Sequence, residues 1–296
     1  MNYYNEIKNK LIDNEIYSKV KDYSKEINKV TTDFEIGKLL TETGGKYGDN
    51  VIGEYSKKLV IEVGKKYNKR TLFRMKQFYN TFNNEKVSPV VTQLTWTHYI
   101  VLLSLKNYNE INYYMKQAIE RTLSKRQLET IILNKEYERL PEGTKNKLRT
   151  KEKSNIIDFI KNPIVIRNSN NYEIISEKIL QKLILEDIEK FMKELGNSFS
   201  FIGSEYKIKI GNSYNYIDLL LFNYEYNCFV VIELKVTELK KEHIGQIQVY
   251  MNYIDDNLRK INQDKTIGII ICKQDNKYII KYCSDSRVVA REYKLN

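Results

Sequence analysis

The 296-residue sequence has little of what many catalytic and secreted scaffolds rely on. Two histidines, His98 and His243, are poor material for a histidine-rich metal centre or a Ser-His-Asp triad. The three cysteines, Cys228, Cys272 and Cys283, are an odd number without a CxxC pair, which argues against a disulfide framework and a structural zinc site. Cys228 and Cys272 lie in apolar runs and read as reduced core residues of a cytosolic protein. The twelve glycines form neither a GxxxxGK(S/T) phosphate loop nor a GxGxxG turn. No apolar run approaches the ~20 residues that span a bilayer, and MNYYNEIKNK lacks the apolar core of an export signal. The expectation is a cytoplasmic protein without a membrane partner, in which carboxylates and lysine do any catalytic work.

Charge, by contrast, is plentiful. Lys and Arg number 49 against 38 Asp and Glu, a formal net charge of +11. The excess is uneven: 27 basic and 18 acidic residues in 1–150, 22 and 20 in 151–296. A basic half joined to a nearly neutral one suggests that one part grips a polyanion. AT-rich coding, which inflates Lys, Asn and Tyr, accounts for the excess equally well.

The first half reads as helical. Segments 56–68, 71–82, 92–106, 111–121 and 124–140 carry apolar residues at helical spacing, with Leu72, Met75 and Tyr79 on one face of the second. A Thr opens 92–106, Trp96 reads as core, and Ser124 with Gln127 has capping-box spacing. Residues 143–171, polar at both ends and containing Pro163, mark a boundary between a helical domain (1–150) and a second domain (165–296). There, 172–196 predicts one long helix with a stripe of Leu180, Ile184, Ile188, Phe191 and Leu195, ended by Gly196. Strand character follows in SFSFIGSEYKIKIG, YIDLLLF, FVVIELKV, TIGIIICK and KYIIKYCS. Residues 241–258 predict a helix burying Ile244, Ile247, Met251, Ile254 and Leu258. The fold class is an all-α domain followed by an α/β domain.

Within YIDLLLFNYEYNCFVVIELKV (216–236), three charges interrupt apolar strands: Asp218, Glu233 and Lys235. If the hairpin turns at Glu225–Tyr226, paired numbers sum to 451 and Asp218 opposes Glu233, with Cβ atoms about 4.5–5.5 Å apart. Lys235 shares the face of Glu233 by the period of two. Two carboxylates this close in an apolar sheet repel and resist desolvation, which a hard divalent cation relieves. The cluster fits metal-assisted hydrolysis of a phosphodiester; an internal ion triad is the plainer reading. On the next helix Gln246, Tyr250 and Tyr253 form a polar-tipped stripe at i, i+4 and i+7 that could line the same site or merely rim a helix–sheet contact.

Ile-Asp-Leu-Leu, Val-Ile-Glu-Leu-Lys and Gly-Gln-x-x-x-Tyr, in this order, resemble the PD-(D/E)xK nuclease superfamily, specifically its YhcG-type members. The resemblance extends to IGKLLTETGGKYG (36–48), FRMKQFY, QLTWTHY, LSKRQLE (123–129), FMKELGNSFSFIG (191–203), IGIIICK (267–273) and VVAREYKL (288–295). It implies a restriction-endonuclease-like mixed sheet flanked by helices, and a Mg²⁺- or Mn²⁺-dependent nuclease acting on nucleic acid, DNA first. Asp218 and Glu233 would be metal ligands, with the Leu234 carbonyl a third. Lys235 would be the catalytic lysine, and Gln246 and Tyr250 would support it. Family members often carry a glutamate on the first nuclease-domain helix where Gln181 stands here; Glu177 or Glu186 could substitute. If neither does, the fold is a degraded nuclease that binds nucleic acid or protein. The helical domain would recruit substrate through Arg70, Arg74, Lys76, Arg121, Lys125 and Arg126, or mediate protein contacts. A homodimer would suit double-strand cutting; among mobile-element maintenance, repair and phage defence as its role the sequence does not choose.

Overall fold

The computed structural model describes residues 3–19, 24–43, 48–83, 94–150, 152, 155–196, 198–283 and 285–296. Parts of three motif segments, at 44–47, 93 and 197, lie outside the described residues, as does the first Thr of 92–106. The chain divides into two compact units, Met1–Tyr137 and Glu138–Asn296.

The first unit holds α1 (Tyr3–Tyr17), α2 (Ser24–Glu42), α3 (Gly48–Glu62), α4 (Lys69–Phe82), α5 (Trp96–Leu102), α6 (Tyr108–Glu120) and α7 (Lys125–Leu133). Each amphipathic stripe turns inward: Ile7 and Leu11, Val30 and Leu40, Ile52 and Leu59, Leu72 and Phe78 are fully buried. Phe78 is the hub of an aromatic cluster with Phe34, Phe82, Trp96 and Tyr99. Trp96 is therefore core, as expected. Ser124 and Gln127 cap α7 reciprocally, and Thr95 with His98 does the same for α5. The helix expected over 124–140 ends at Leu133, since Lys135 takes a left-handed φ of 53° that breaks the helical path.

The second unit begins with α8 (Glu142–Thr150), a 3₁₀ turn (Ile156–Phe159) and β1 (Ile164–Ile166). It continues with α9 (Glu177–Glu186), α10 (Ile188–Leu195), β2 (Phe199–Ile210), β3 (Ser213–Asn223), β4 (Cys228–Glu238), α11 (Lys241–Asn257), β5 (Ile267–Gln274), α12 (Lys277–Lys281) and β6 (Val288–Leu295). The six strands form one mixed sheet, order β1-β6-β5-β4-β3-β2. β2, β3 and β4 are antiparallel; β4, β5, β6 and β1 run parallel. Leu180, Leu183, Ile184, Phe191 and Leu195 of α9 and α10 bury one sheet face, with Leu219, Ile232 and Ile269. Ile247, Met251 and Ile254 of α11 bury the other, with Leu220, Val231 and Ile270. The central strands are thus apolar on both faces, the condition for a sheet between two helical layers.

Two expectations for this unit need correction. The helix predicted over 172–196 is two helices. Ser176 caps the start of α9, and Asp187 leaves helical geometry (φ −137°, ψ 54°) so that its side chain can cap α10 at Lys190 N–H. Lys277–Lys281 of KYIIKYCS form not a strand but α12, because the Asn276 side chain accepts from the N–H groups of Tyr278 and Ile279 and starts a helical turn; the final Ser of that run lies outside the described residues.

Candidate active site

β3 and β4 pair in the register that a turn at Glu225–Tyr226 sets, from Asn223 opposite Cys228 to Leu219 opposite Ile232. That ladder ends one pair short of Asp218 and Glu233. β4 stays in register with β5 through Lys235 opposite Cys272, so the strands fork at the charged residues. The Asp218 side chain lies in the fork: its Oδ2 accepts from the Leu234 N–H at 2.7 Å. Lys235 Nζ reaches Glu233 Oε2 at 3.1 Å and Glu177 Oε2, from the first turn of α9, at 3.8 Å. Gln181, one turn further along α9, donates to the Asp218 carbonyl at 3.0 Å. The three sequence-predicted charges therefore share one locality, joined by Glu177 and Gln181.

The electrostatics follow from burial. Glu233 is 2% exposed. Desolvation, then the charge of Asp218, pushes its carboxyl up to about 7, against the pull of Lys235. Asp218 is raised as well, by burial, although the Leu234 N–H and Lys235 oppose this. Burial draws Lys235 down, but Glu233, Glu177 and Asp218 outweigh it and hold the ammonium above its ordinary value. A buried carboxylate and a half-buried one, each with its pKa raised, sit beside a single ammonium, so the locality is short of positive charge. Its donors are hard oxygens, a set that suits a hard divalent cation such as Mg²⁺, commonly held by one or two carboxylates with water completing the shell. Among the described residues no three His, Cys, Asp or Glu side chains converge into a ready-made cage.

The remaining expected site residues are spread more widely. Leu234 is fully buried and opposite Ile271; its N–H is the group that engages Asp218. Gln246 donates to the Tyr250 hydroxyl at 3.1 Å, and Tyr250 is buried in the α11 core layer. Glu186 is held by Ser169 Oγ and Asn170 Nδ2. Of the three candidate helix residues, Glu177 is the carboxylate that meets the cluster. Sequence reasoning gave no part to His243, whose Nδ1 accepts from the Lys240 N–H at 3.1 Å. Burial, then the charges of Lys235 and Lys240, lower its pKa. The signal for it was the capping position at the start of α11, three residues after Lys240.

In the helical unit the candidate phosphate contacts divide. Arg70 and Arg126 are exposed, and Arg74 and Lys76 are half-exposed on α4. Lys125 pairs with Glu129 at 3.2 Å. Arg121 bonds the buried Glu136 at 3.3 Å, so its guanidinium has a structural partner. No helix among the described residues is long and apolar enough to cross a membrane.

The chain is similar to known proteins over both of its units. A protein from Escherichia coli (strain K12) named "Putative nuclease YhcG" is 24% identical over 316 residues, covering 91% of this chain and 82% of that protein. A repair endonuclease from Pyrococcus abyssi aligns at 18% identity and a TM-score of 0.29, over 43% of this chain and 49% of its own. An EndoMS–dsDNA2 complex aligns at 18% and 0.29, over 43% and 48%. The match thus spans about half the length of each solved chain. Residues 11–139 match the DUF1016 N-terminal domain, and residues 157–296 match the YhcG PDDEXK nuclease domain. With both domains matched in order, this chain belongs to the YhcG-type PD-(D/E)xK nuclease family.

Proposed function

We propose that the protein is a Mg²⁺- or Mn²⁺-dependent nuclease that hydrolyses DNA phosphodiester bonds, recruited to its substrate by the basic helical domain. The observation that carries this reading is the grouping of Asp218, Glu233 and Lys235 where β3 and β4 part, inside a nuclease domain of the matching family. Asp218 and Glu233 would hold the cation, with the Leu234 carbonyl beside them. When bound, the cation supplies Lewis-acid assistance to attack on phosphorus. Lys235 orients the attacking water and offsets the charge that develops on the phosphoryl oxygens. Glu177 keeps the ammonium charged and aimed, and the Leu234 N–H fixes the Asp218 rotamer. Gln246 and Tyr250 support the site from α11.

The test compares wild type with Glu233→Ala and Lys235→Ala on plasmid, linear and branched DNA, with Mg²⁺ or Mn²⁺ and with matched RNA. Cutting should fall by roughly 10²-fold or more in each variant; unchanged cutting by both rejects the assignment. A second reading, a degraded nuclease fold that only binds, is favoured by Gln181 standing where relatives often have glutamate. Metal titration separates the two, since a binding-only protein shows no Mn²⁺ site that Glu233→Ala abolishes.

A further inference from the structure

The β2–β3 hairpin continues past the point where β3 leaves β4. Tyr206 to Ile210 pair with Ile217 to Ser213, and no β4 residue pairs with this stretch of β3. Its inner face is anchored, since Ile208 and Ile217 are buried in the α11 core layer with Tyr206 and Ile210 packed against it. The outer face carries two facing rows, lysines on β2 and tyrosines on β3: Lys207 opposite Tyr216, and Lys209 opposite Tyr214. Tyr214 and Tyr216 are 56% and 52% exposed, and Lys207 Nζ lies 3.8 Å from the Tyr214 ring centroid. Cross-strand pairing explains the contact between neighbours but not the open ring area. Glu205 borders the patch on the side of Asp218, and its charge reaches that residue.

We infer that this face binds single-stranded nucleic acid next to the reacting phosphate. The two rings stand about 7 Å apart along one strand and offer successive platforms for unpaired bases. The lysines stand across from them on β2, a basic row beside an aromatic one, as a phosphate backbone runs beside its bases. A duplex keeps its base faces stacked inside, so exposed rings gain little from it; unpaired bases present a π-face regardless of sequence. Asp218 follows Tyr216 by two residues, so a strand held on the hairpin leads to the fork. The inference deepens the nuclease reading and rests on it for where the chemistry occurs; it narrows the substrate to nucleic acid with an unpaired segment.

The experiment is fluorescence anisotropy of the full chain in EDTA. The probes are a labelled twenty-nucleotide oligothymidylate, a matched oligouridylate and a blunt duplex of equal length. Tyr214→Ala/Tyr216→Ala should raise the single-strand Kd about tenfold or more and the duplex Kd less than twofold, while Tyr214→Phe/Tyr216→Phe stays within twofold of wild type. Lys207→Ala/Lys209→Ala should lower the salt slope for single strands by about 1.4, at roughly 0.7 per phosphate. The two single-strand arms tell which sugar is held. The inference is overturned if the alanine pair binds both single strands as wild type does, if it loses duplex binding equally, or if the phenylalanine pair fails alongside it. Because binding is read without metal, this failure is separable from failure of the nuclease reading. Tyrosine-dependent binding in a chain whose cutting ignores Glu233→Ala defeats only the nuclease reading, and Glu233-dependent cutting without tyrosine-dependent binding defeats only this one.

Discussion

At the end of β4, Lys235 has an acid on either side, Glu233 at 3.1 Å and Glu177 at 3.8 Å. An ammonium with 12% of its side chain exposed needs such partners to stay charged. If Glu177 aims the lysine, removing its charge should slow chemistry without weakening substrate binding. Glu177→Gln is expected to lower kcat by ~10–100-fold with KM within about twofold, whereas Glu186→Gln, whose carboxylate is occupied by Ser169 and Asn170, should leave both unchanged. Steady-state cleavage of a labelled oligonucleotide reads the difference. Asp33 of α2 supplies a second test at this scale. It is fully buried, its Oδ2 bonded to Lys29 at 3.1 Å and its Oδ1 without a hydrogen-bond partner among the described residues. Burial, partly offset by Lys29 and Lys66 and reinforced by Glu26, lifts it from 3.8 to about 6. Between those values the folded chain holds a proton that the unfolded chain has lost, so stability falls as pH rises from about 4 to about 6 and is flat above. The span is ~3 kcal/mol at most. Asp33→Asn should remove this part of the slope in urea unfolding followed from pH 4 to 7.

At the scale of elements, two glycines in helices of the first unit make opposite predictions. A Cβ on Gly37 of α2 would stand 2.1 Å from the Met75 carbonyl oxygen and 2.8 Å from Tyr79 Cβ. The obstacle is α4 backbone, which cannot swing aside. Gly37→Ala should cost about 3 kcal/mol or more, at the upper end of overpacking. Gly53 of α3 has open space around the same position, and Gly53→Ala should stabilise by roughly 0.5–1 kcal/mol through helix propensity. Paired urea melts check both signs. The contrast also shows what could be read in the sequence. The register of β3 on β4 was legible from the turn alone: with Glu225–Tyr226 at its centre paired numbers sum to 451, as they do in the ladder, and the Asp218–Glu233–Lys235 grouping followed from it. The choice among Glu177, Gln181 and Glu186 was not legible. It depends on where α9 begins and on the break at Asp187, and both are decided by caps that an apolar stripe running through 172–196 conceals. KYIIKYCS misled for a related reason: four of its eight residues, Tyr278, Ile279, Ile280 and Tyr282, favour strands, but one Asn cap and the helix–sheet packing of Ile279 and Ile280 override that preference.

At the scale of the whole molecule, the uneven charge has to be tested separately from the chemistry. The basic first half could concentrate substrate or could be a coding bias spread over solvated faces, and the two differ in salt dependence. If Arg70, Arg74 and Arg126 neutralise phosphates, each lost contact removes a released counterion. Arg70→Ala/Arg74→Ala/Arg126→Ala should then weaken duplex binding in EDTA and lower the slope of log Kd against log salt by about 0.9 per contact, or roughly 2.7 for all three. At saturating substrate the cleavage rate should stay at the wild-type level, because these residues belong to a unit distinct from the one that carries Asp218 and Glu233. Arg121→Ala serves as the control. Its partner Glu136 is 5% exposed, so this substitution should appear as lost stability and leave the salt slope unchanged. A triple variant with unaltered Kd and slope would assign the excess charge to solvated surface and leave recruitment to the nuclease domain itself.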